Sequence, residues 1–294
     1  MTRSFRAGAP RCASLIGALL LAACGGGGND PAPTPSAAEA GAPPSERAAA
    51  VAAPGAGQWT PLIPLSMVTP SAALLPNGKV MLWASSDRFT DGAPSGQTYT
   101  TLFDPATQTA SETLVTQTGH DMFCTGTTNL PDGRILVNGG KDSGKTTIYD
   151  PVANAWSTGA TMTIPRGYNA NTILADGSVF TLGGSWSGGR GNKHGERWTA
   201  AGGWARLNGV PVDAALGNDP DFAFRADNHM WLFPAPNGKV LHAGPAANMN
   251  WIDPQANAVV DRLGPLAGSG GIAITDTSVW ITAHDVQSIW RLPQ

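Results

Sequence analysis

Ser71-Ala72-Ala73-Leu74-Leu75-Pro76-Asn77-Gly78-Lys79-Val80-Met81-Leu82-Trp83 decides how this chain folds, because its pattern is repeated. A short apolar strand runs into a turn of Pro or Ala, then Asn or Asp, then Gly, and a second apolar strand follows. The pattern returns as Thr127-Thr128-Asn129-Leu130-Pro131-Asp132-Gly133-Arg134-Ile135-Leu136-Val137 and as Asn171-Thr172-Ile173-Leu174-Ala175-Asp176-Gly177-Ser178-Val179-Phe180-Thr181-Leu182. Its last copy is Met230-Trp231-Leu232-Phe233-Pro234-Ala235-Pro236-Asn237-Gly238-Lys239-Val240-Leu241. Asn-Gly and Asp-Gly supply the positive φ angles of type I′ turns, so each copy is expected to be a β-hairpin.

Moving outward, the second strand of two copies ends in a diglycine, Gly139-Gly140 and Gly183-Gly184. Glycine at a strand end lets two backbones crowd together. An outer strand and turn then follow, as Leu102-Phe103-Asp104-Pro105, Ile148-Tyr149-Asp150-Pro151 and Trp251-Ile252-Asp253-Pro254, with Glu196 to Trp204 a looser version. Hairpin, diglycine and aromatic-bearing strand are the marks of a kelch-type β-propeller blade. The expectation is an all-β propeller with about four blades over 58–261. Residues 262–294 carry no Asp-Gly hairpin, and read as an atypical C-terminal tail.

Composition agrees with such a fold. Charged residues are 13% of the chain, against 37 glycines and 10 tryptophans, which fits an exported all-β domain rich in tight turns. The net charge of -3 gives no reason to expect nucleic acid.

The N-terminus is an address. Arg3, Arg6 and Arg11 precede the apolar run Leu15 to Ala23, which is too short to span a bilayer, and Leu21-Ala22-Ala23-Cys24 reads as a lipoprotein cleavage box. Residues 1–23 are therefore expected to be a signal peptide, with Cys24 the lipidated first residue of the mature protein. Several acyl chains on Cys24 would anchor it stably to membrane. Residues 24–57, with Gly25-Gly26-Gly27-Gly28 and prolines 31, 33, 35, 43 and 44, read as a linker that buries little apolar surface. The expected location is a bacterial cell envelope, facing the periplasm or the exterior. Cys12 would leave with the signal, so Cys124 would have no intramolecular disulfide partner. Either it packs as a small hydrophobe or its sulfur is bonded to something other than sulfur.

Three segments narrow that choice: Gly119-His120-Asp121-Met122-Phe123-Cys124-Thr125-Gly126, Arg166-Gly167-Tyr168 and Gly183-Gly184-Ser185-Trp186-Ser187-Gly188-Gly189. Together they resemble the galactose oxidase family of copper-radical oxidases, over roughly Gln58 to Trp251. The resemblance implies a seven-bladed propeller. It also implies a copper site in which Cys124 is joined by a thioether to the ring of Tyr168, a copper ligand and redox cofactor, while Trp186 stacks over that ring. The implied reaction takes a primary alcohol or sugar and O2 to an aldehyde and hydrogen peroxide. Arg225, in Phe224-Arg225-Ala226-Asp227-Asn228-His229, matches a family arginine that bonds sugar hydroxyls, for which a planar fork of donors is suited. Phe89, in Asp87-Arg88-Phe89-Thr90-Asp91, aligns loosely with an aromatic of the sugar pocket.

The family's copper also takes an axial tyrosine followed directly by a histidine, and a second histidine further on. None of Tyr99, Tyr149 and Tyr168 is followed by histidine, and His120, His194, His229, His242 and His284 match no ligand position. A single phenolate would hold copper weakly, since imidazole nitrogen is its favoured partner. The expectation is a truncated or frameshifted member of the family, inactive as this chain. The alternative is a non-catalytic kelch-repeat surface lipoprotein that binds glycan or protein.

Overall fold

The structure, a computed structural model, describes residues 61–217, 227–228, 230–244, 248–265, 269–274, 278–283 and 288–293. The expected signal peptide, Cys24, the linker, Arg225, His229 and His284 lie outside the described residues. The chain divides into Met1–Leu62 and Ile63–Gln294, and the fold below is that of the second unit.

Each repeat forms one four-stranded antiparallel sheet in sequential order. The first holds β1 (Ser71–Leu74), β2 (Val80–Trp83), β3 (Thr98–Asp104) and β4 (Thr109–Val115). The second holds β5 (Gly126–Asn129), β6 (Ile135–Asn138), β7 (Thr146–Asp150) and β8 (Ala155–Thr158). The third holds β9 (Ala170–Ile173), β10 (Val179–Leu182), β11 (Glu196–Thr199) and β12 (Gly203–Arg206). The fourth holds β13 (Trp231–Pro234), β14 (Val240–Ala243), β15 (Asn248–Asp253) and β16 (Ala258–Pro265). These are propeller blades, and the all-β architecture is the one the repeats predict. Beyond them, β17 (Ser269–Ile274), β18 (Ser278–Ala283) and β19 (Ser288–Pro293) make a fifth, three-stranded antiparallel sheet within the segment expected to be an atypical tail.

The hairpins form, but not through type I′ turns. Among Pro76, Asn77 and Gly78 only the glycine has positive φ, at 80°, and Gly133, Gly177 and Gly238 repeat this at 87°, 80° and 80°. Gly78 N–H donates to Leu75 O at 3.0 Å and Leu75 N–H to Lys79 O at 2.8 Å, the arrangement of a type I turn closed by a glycine bulge. Proline's fixed φ suits the first corner of such a turn. The second corner stays right-handed because its side chain serves the backbone instead. Asn77 Oδ1 accepts Lys79 N–H at 3.1 Å, Asp132 Oδ1 accepts Arg134 N–H at 3.1 Å, and Asp176 and Asn237 do the same for Ser178 and Lys239 at 3.0 Å each.

Second strands are apolar on both faces because each is covered from both sides. In β6, Ile135 and Val137 join Met81, Trp83, Met122 and Trp156 in the core between the first two blades. Leu136 points the other way, into a core with Val179, Trp198 and Trp204. In β10, Phe180 and Leu182 pack instead with Leu232, Val240 and Ile252 of the fourth blade. Period-two alternation thus divides one strand between two cores.

Candidate functional site

At the end of the blades away from the hairpin turns, the diglycines make a stack of backbone crossings. Gly140 N–H donates to Arg166 O at 2.9 Å, Gly167 N–H to Gly184 O at 3.0 Å, and Gly184 N–H to Asp227 O at 2.9 Å. A Cβ on Gly140 would lie 2.6 Å from Phe123 O, and one on Gly184 2.9 Å from Gly167 O, while one on Gly183 would run into Asp227 O. Backbone cannot give way there, so only glycine fits. The crossings bring together the loops that carry Cys124, Tyr168 and Trp186.

Among the described residues six non-glycine residues have positive φ, and three of them are asparagines, which tolerate that region through local hydrogen bonding. Cys124 at 56° and Tyr168 at 61° have no such excuse. A bulky residue there is strained by about 1–3 kcal/mol, held by its surroundings and typical of functional sites. The two strained residues are bonded to each other, Tyr168 N–H donating to Cys124 O at 2.8 Å. The Tyr168 ring contacts Trp186 with centroids 4.9 Å apart and planes at 47°, a tilted contact. Phe123 meets the other part of the Tyr168 ring edge-on, at 6.4 Å and 79°. Trp186 itself is 47% exposed, so the indole separates the tyrosine from solvent on one side.

Buried polar groups hold these loops. The fully buried Arg166, two residues before Tyr168, pairs with the equally buried Glu196 at 2.7 Å and donates to Gly183 O and His194 O at 2.8 Å each. Glu196 Oε1 in turn accepts Thr163 N–H and hydroxyl at 2.8 and 2.5 Å. Ser185 donates its N–H and hydroxyl to the two oxygens of Asp227 at 2.8 and 2.6 Å. His120 sits under the Cys124 loop with Nδ1 2.8 Å from Thr147 Oγ1 and Nε2 2.8 Å from Gly139 O. Burial pulls its imidazole down to about 4. None of these pins was assigned a role from sequence. Only their neighbours in the motifs could have flagged Arg166 and His120, because burial of a charge depends on residues far off in the chain.

Phe89 is 67% exposed, on a loop tied to the same end of the blades. Lys141 donates its N–H to Phe123 O at 3.1 Å and its ammonium to Ala93 O at 2.6 Å and to Asp91 O. The same ammonium lies 3.5 Å from the buried Asp121 carboxylate, whose pKa desolvation raises.

The donor set does not complete a copper site among the described residues. The resemblance assigns Tyr168 as ligand, but no group of three or more His, Cys, Asp or Glu side chains is arranged for a metal among the described residues. His120 is engaged as above, His194 Nδ1 accepts Val212 N–H at 3.2 Å, and His242 bonds Gly244 O at 2.9 Å and Asn250 at 3.1 Å. Tyr149 is buried with its hydroxyl 2.7 Å from Asn154 Oδ1, and Tyr99 lies under the Arg88 guanidinium at 4.1 Å. Among the described residues no helix is long and apolar enough to cross a membrane.

No family model matches the chain. Two curated relatives, both galactose oxidase of Gibberella zeae and one of them from a named strain, are each 40% identical over 224 residues. That alignment takes in 75% of this chain and 33% of each relative, so the chain spans about a third of their length. Among solved structures, a fungal alcohol oxidase described as having catalytic diversity among the AA5 family, in complex with copper, superposes with a TM-score of 0.64. It is 29% identical, over 81% of this chain and 56% of that one. In its sequence and its propeller the chain is galactose oxidase-like.

Proposed function

We propose that this chain carries the radical-cofactor part of a copper-radical alcohol or carbohydrate oxidase, with Cys124 and Tyr168 as the thioether pair and Trp186 as its shield. The observation that carries the reading is the paired strain: the two residues share a backbone hydrogen bond and both occupy the left-handed region, Cys124 at 56° and Tyr168 at 61°. Forming the thioether removes the sulfhydryl hydrogen and one ring hydrogen. Dioxygen takes both as hydrogen peroxide, and a sulfur–carbon bond results. A sulfur on the ring would ease its one-electron oxidation, and copper, where held, would accept the second of the two electrons an alcohol gives up. The chain's own residues position and shelter the ring: Trp186 covers it, Phe123 abuts it, and Arg166 fixes the approach of its backbone.

Copper does not fit the described donors beyond Tyr168. On this reading the chain by itself does not turn an alcohol over to aldehyde and peroxide. Arg225 and Phe89 are the proposed contacts for a sugar or primary alcohol, and Cys24 the proposed lipid anchor to a bacterial envelope. The test is a peroxide assay of the purified chain with copper, O2 and a panel of sugars and primary alcohols, run beside a mass measurement of the Cys124 and Tyr168 peptides. Crosslinked peptides without turnover support the reading. Turnover contradicts the incomplete donor set, and peptides that are never crosslinked favour a glycan- or protein-binding lipoprotein instead.

A further inference from the structure

The loop that presents Trp186 has little regular structure to hold it. Gly183, Gly184, Gly188 and Gly189 all have positive φ, from 70° to 99°, and such a run adds backbone freedom on both sides of the indole. Something else must fix the indole against Tyr168. The candidate is Lys193, seven residues on and only 2% exposed. Its ammonium donates to Gly188 O at 2.8 Å, to Ser187 O at 3.2 Å and to Pro165 O. The first two carbonyls follow Trp186 directly, and Pro165 lies three residues before Tyr168. An ammonium has three donors and no acceptor, and here all three go to main-chain oxygens on the two segments. The segments already touch, since a Cβ on Gly188 would lie 2.6 Å from Pro165.

We propose that Lys193 is the positioning residue that clasps the Trp186 loop onto the Tyr168 segment and so sets the indole over the phenol. This assignment rests on the reading of Tyr168 as a redox cofactor, because only then does the indole have something to shield. Lys193 acts through backbone carbonyls and touches no reacting atom.

The clasp depends on a proton. Burial first, and then the Arg166 guanidinium, bring the ammonium down to about 8, with Asp227 and Glu196 opposing. Among the described residues those three are the charged groups that act on it. From the ordinary lysine value down to about 8 the unfolded chain binds this proton more tightly than the folded one. Raising the pH through that window therefore does not destabilise the fold. It removes one N–H from the clasp and releases one of the three carbonyls.

The test is fluorine NMR of the full chain grown with 5-fluorotryptophan, whose 10 tryptophans give separate signals, that of Trp186 being identified by its loss in Trp186→Phe. In the wild type the Trp186 signal is expected to shift with a midpoint near pH 8. Tyr168→Phe, which cannot ionise, keeps that step. Lys193→Arg, always charged, holds the signal at its low-pH position throughout, and Lys193→Met leaves it at the position of a solvent-exposed indole at every pH. An unmoved Trp186 signal across pH 8 in the wild type, or a wild-type signal in Lys193→Met, overturns the proposal. If Lys193→Met disperses all the signals by unfolding, the wild-type titration and the Arg variant decide. The readout needs neither thioether nor copper. A chain with crosslinked peptides and a fixed Trp186 signal therefore refutes the clasp alone. Uncrosslinked peptides with the expected titration refute the proposed function and leave the clasp standing.

Discussion

The two ends of each inner hairpin use the same residue for opposite reasons. At the turn end, Gly78 and Gly238 have φ near 80° and open space around them, so glycine serves only the backbone angle. At Gly133 and Gly177 a Cβ would also meet the ring of the preceding blade's proline, Pro76 or Pro131, at 2.7 and 3.1 Å. At the diglycine end, Gly139, Gly140, Gly183 and Gly184 have the same sign of φ, but each presses on the backbone of a neighbouring segment. The turn end is self-contained and repeats with little change. The diglycine end depends on the next blade, and the loops that carry Cys124, Tyr168 and Trp186 emerge there. Regular turns make the scaffold, and crowded strand ends make the site.

Substitutions can break this contrast. Gly183→Ala is expected to be the most damaging, at about 4 kcal/mol or more, because its Cβ meets the Asp227 carbonyl and the φ of 75° disfavours any side chain. A denaturant melt of the purified variant checks it, and a near-wild-type midpoint would mean the crossing is loose. Arg166→Met comes next, at about 3–5 kcal/mol, because it strands the buried Glu196 carboxylate. Chemical denaturation measures this loss too. Arg166→Met together with Glu196→Leu should recover much of it, since the pair is costly to bury and costlier to break.

A third effect separates the buried pins from the surface turns by pH. His120 and His242 are both pulled to about 4, chiefly by burial, so each is neutral in the fold. An unfolded histidine takes its proton below its ordinary value of about 6.5, so the stability they contribute is present above that value. It falls as pH drops towards 4, by up to about 3 kcal/mol for each. Urea melts at a series of pH values should show this loss, and His120→Gln should blunt it. At the turns, Asp132 and Asp176 are held below the usual carboxylate range, first by hydrogen bonds from Arg134 and Ser178 respectively. Their contribution is kept above the ordinary aspartate value and lost at still lower pH. The smallest effect is Gly238→Ala, about 1–2 kcal/mol from φ alone, with nothing for the methyl to strike. A melting shift as large as that of Gly183→Ala would erase the distinction between the two ends.

The hairpins were legible because Pro-Asn-Gly and its variants are local signals, sufficient without knowledge of the neighbouring blade. The turn type was not, because an Asn-Gly pair is compatible with two geometries. The Asx hydrogen bond from Asn77 or Asp132 to the second residue on decides between them. Strands β17 to β19 escaped notice for the converse reason: their alternating residues, such as Ser278-Val279-Trp280-Ile281, lack a glycine turn to announce them. At the site, Cys124, Tyr168 and Trp186 were readable only through their flanking motifs. Lys193 and Glu196 were not readable at all, since lysine and glutamate are normally solvent-exposed and only the fold buries them, and Arg166 had nothing but its place beside Tyr168 in the motif to flag it.

The central claim concerns Cys124 and Tyr168, and a protease peptide map of the chain after aerobic exposure to copper tests it most directly. The account predicts one fragment joining the Cys124 and Tyr168 peptides, two hydrogens lighter than their sum, resistant to reduction and absent from Cys124→Ser. Recovery of the two peptides separately, with the Cys124 thiol still open to alkylation, would contradict it.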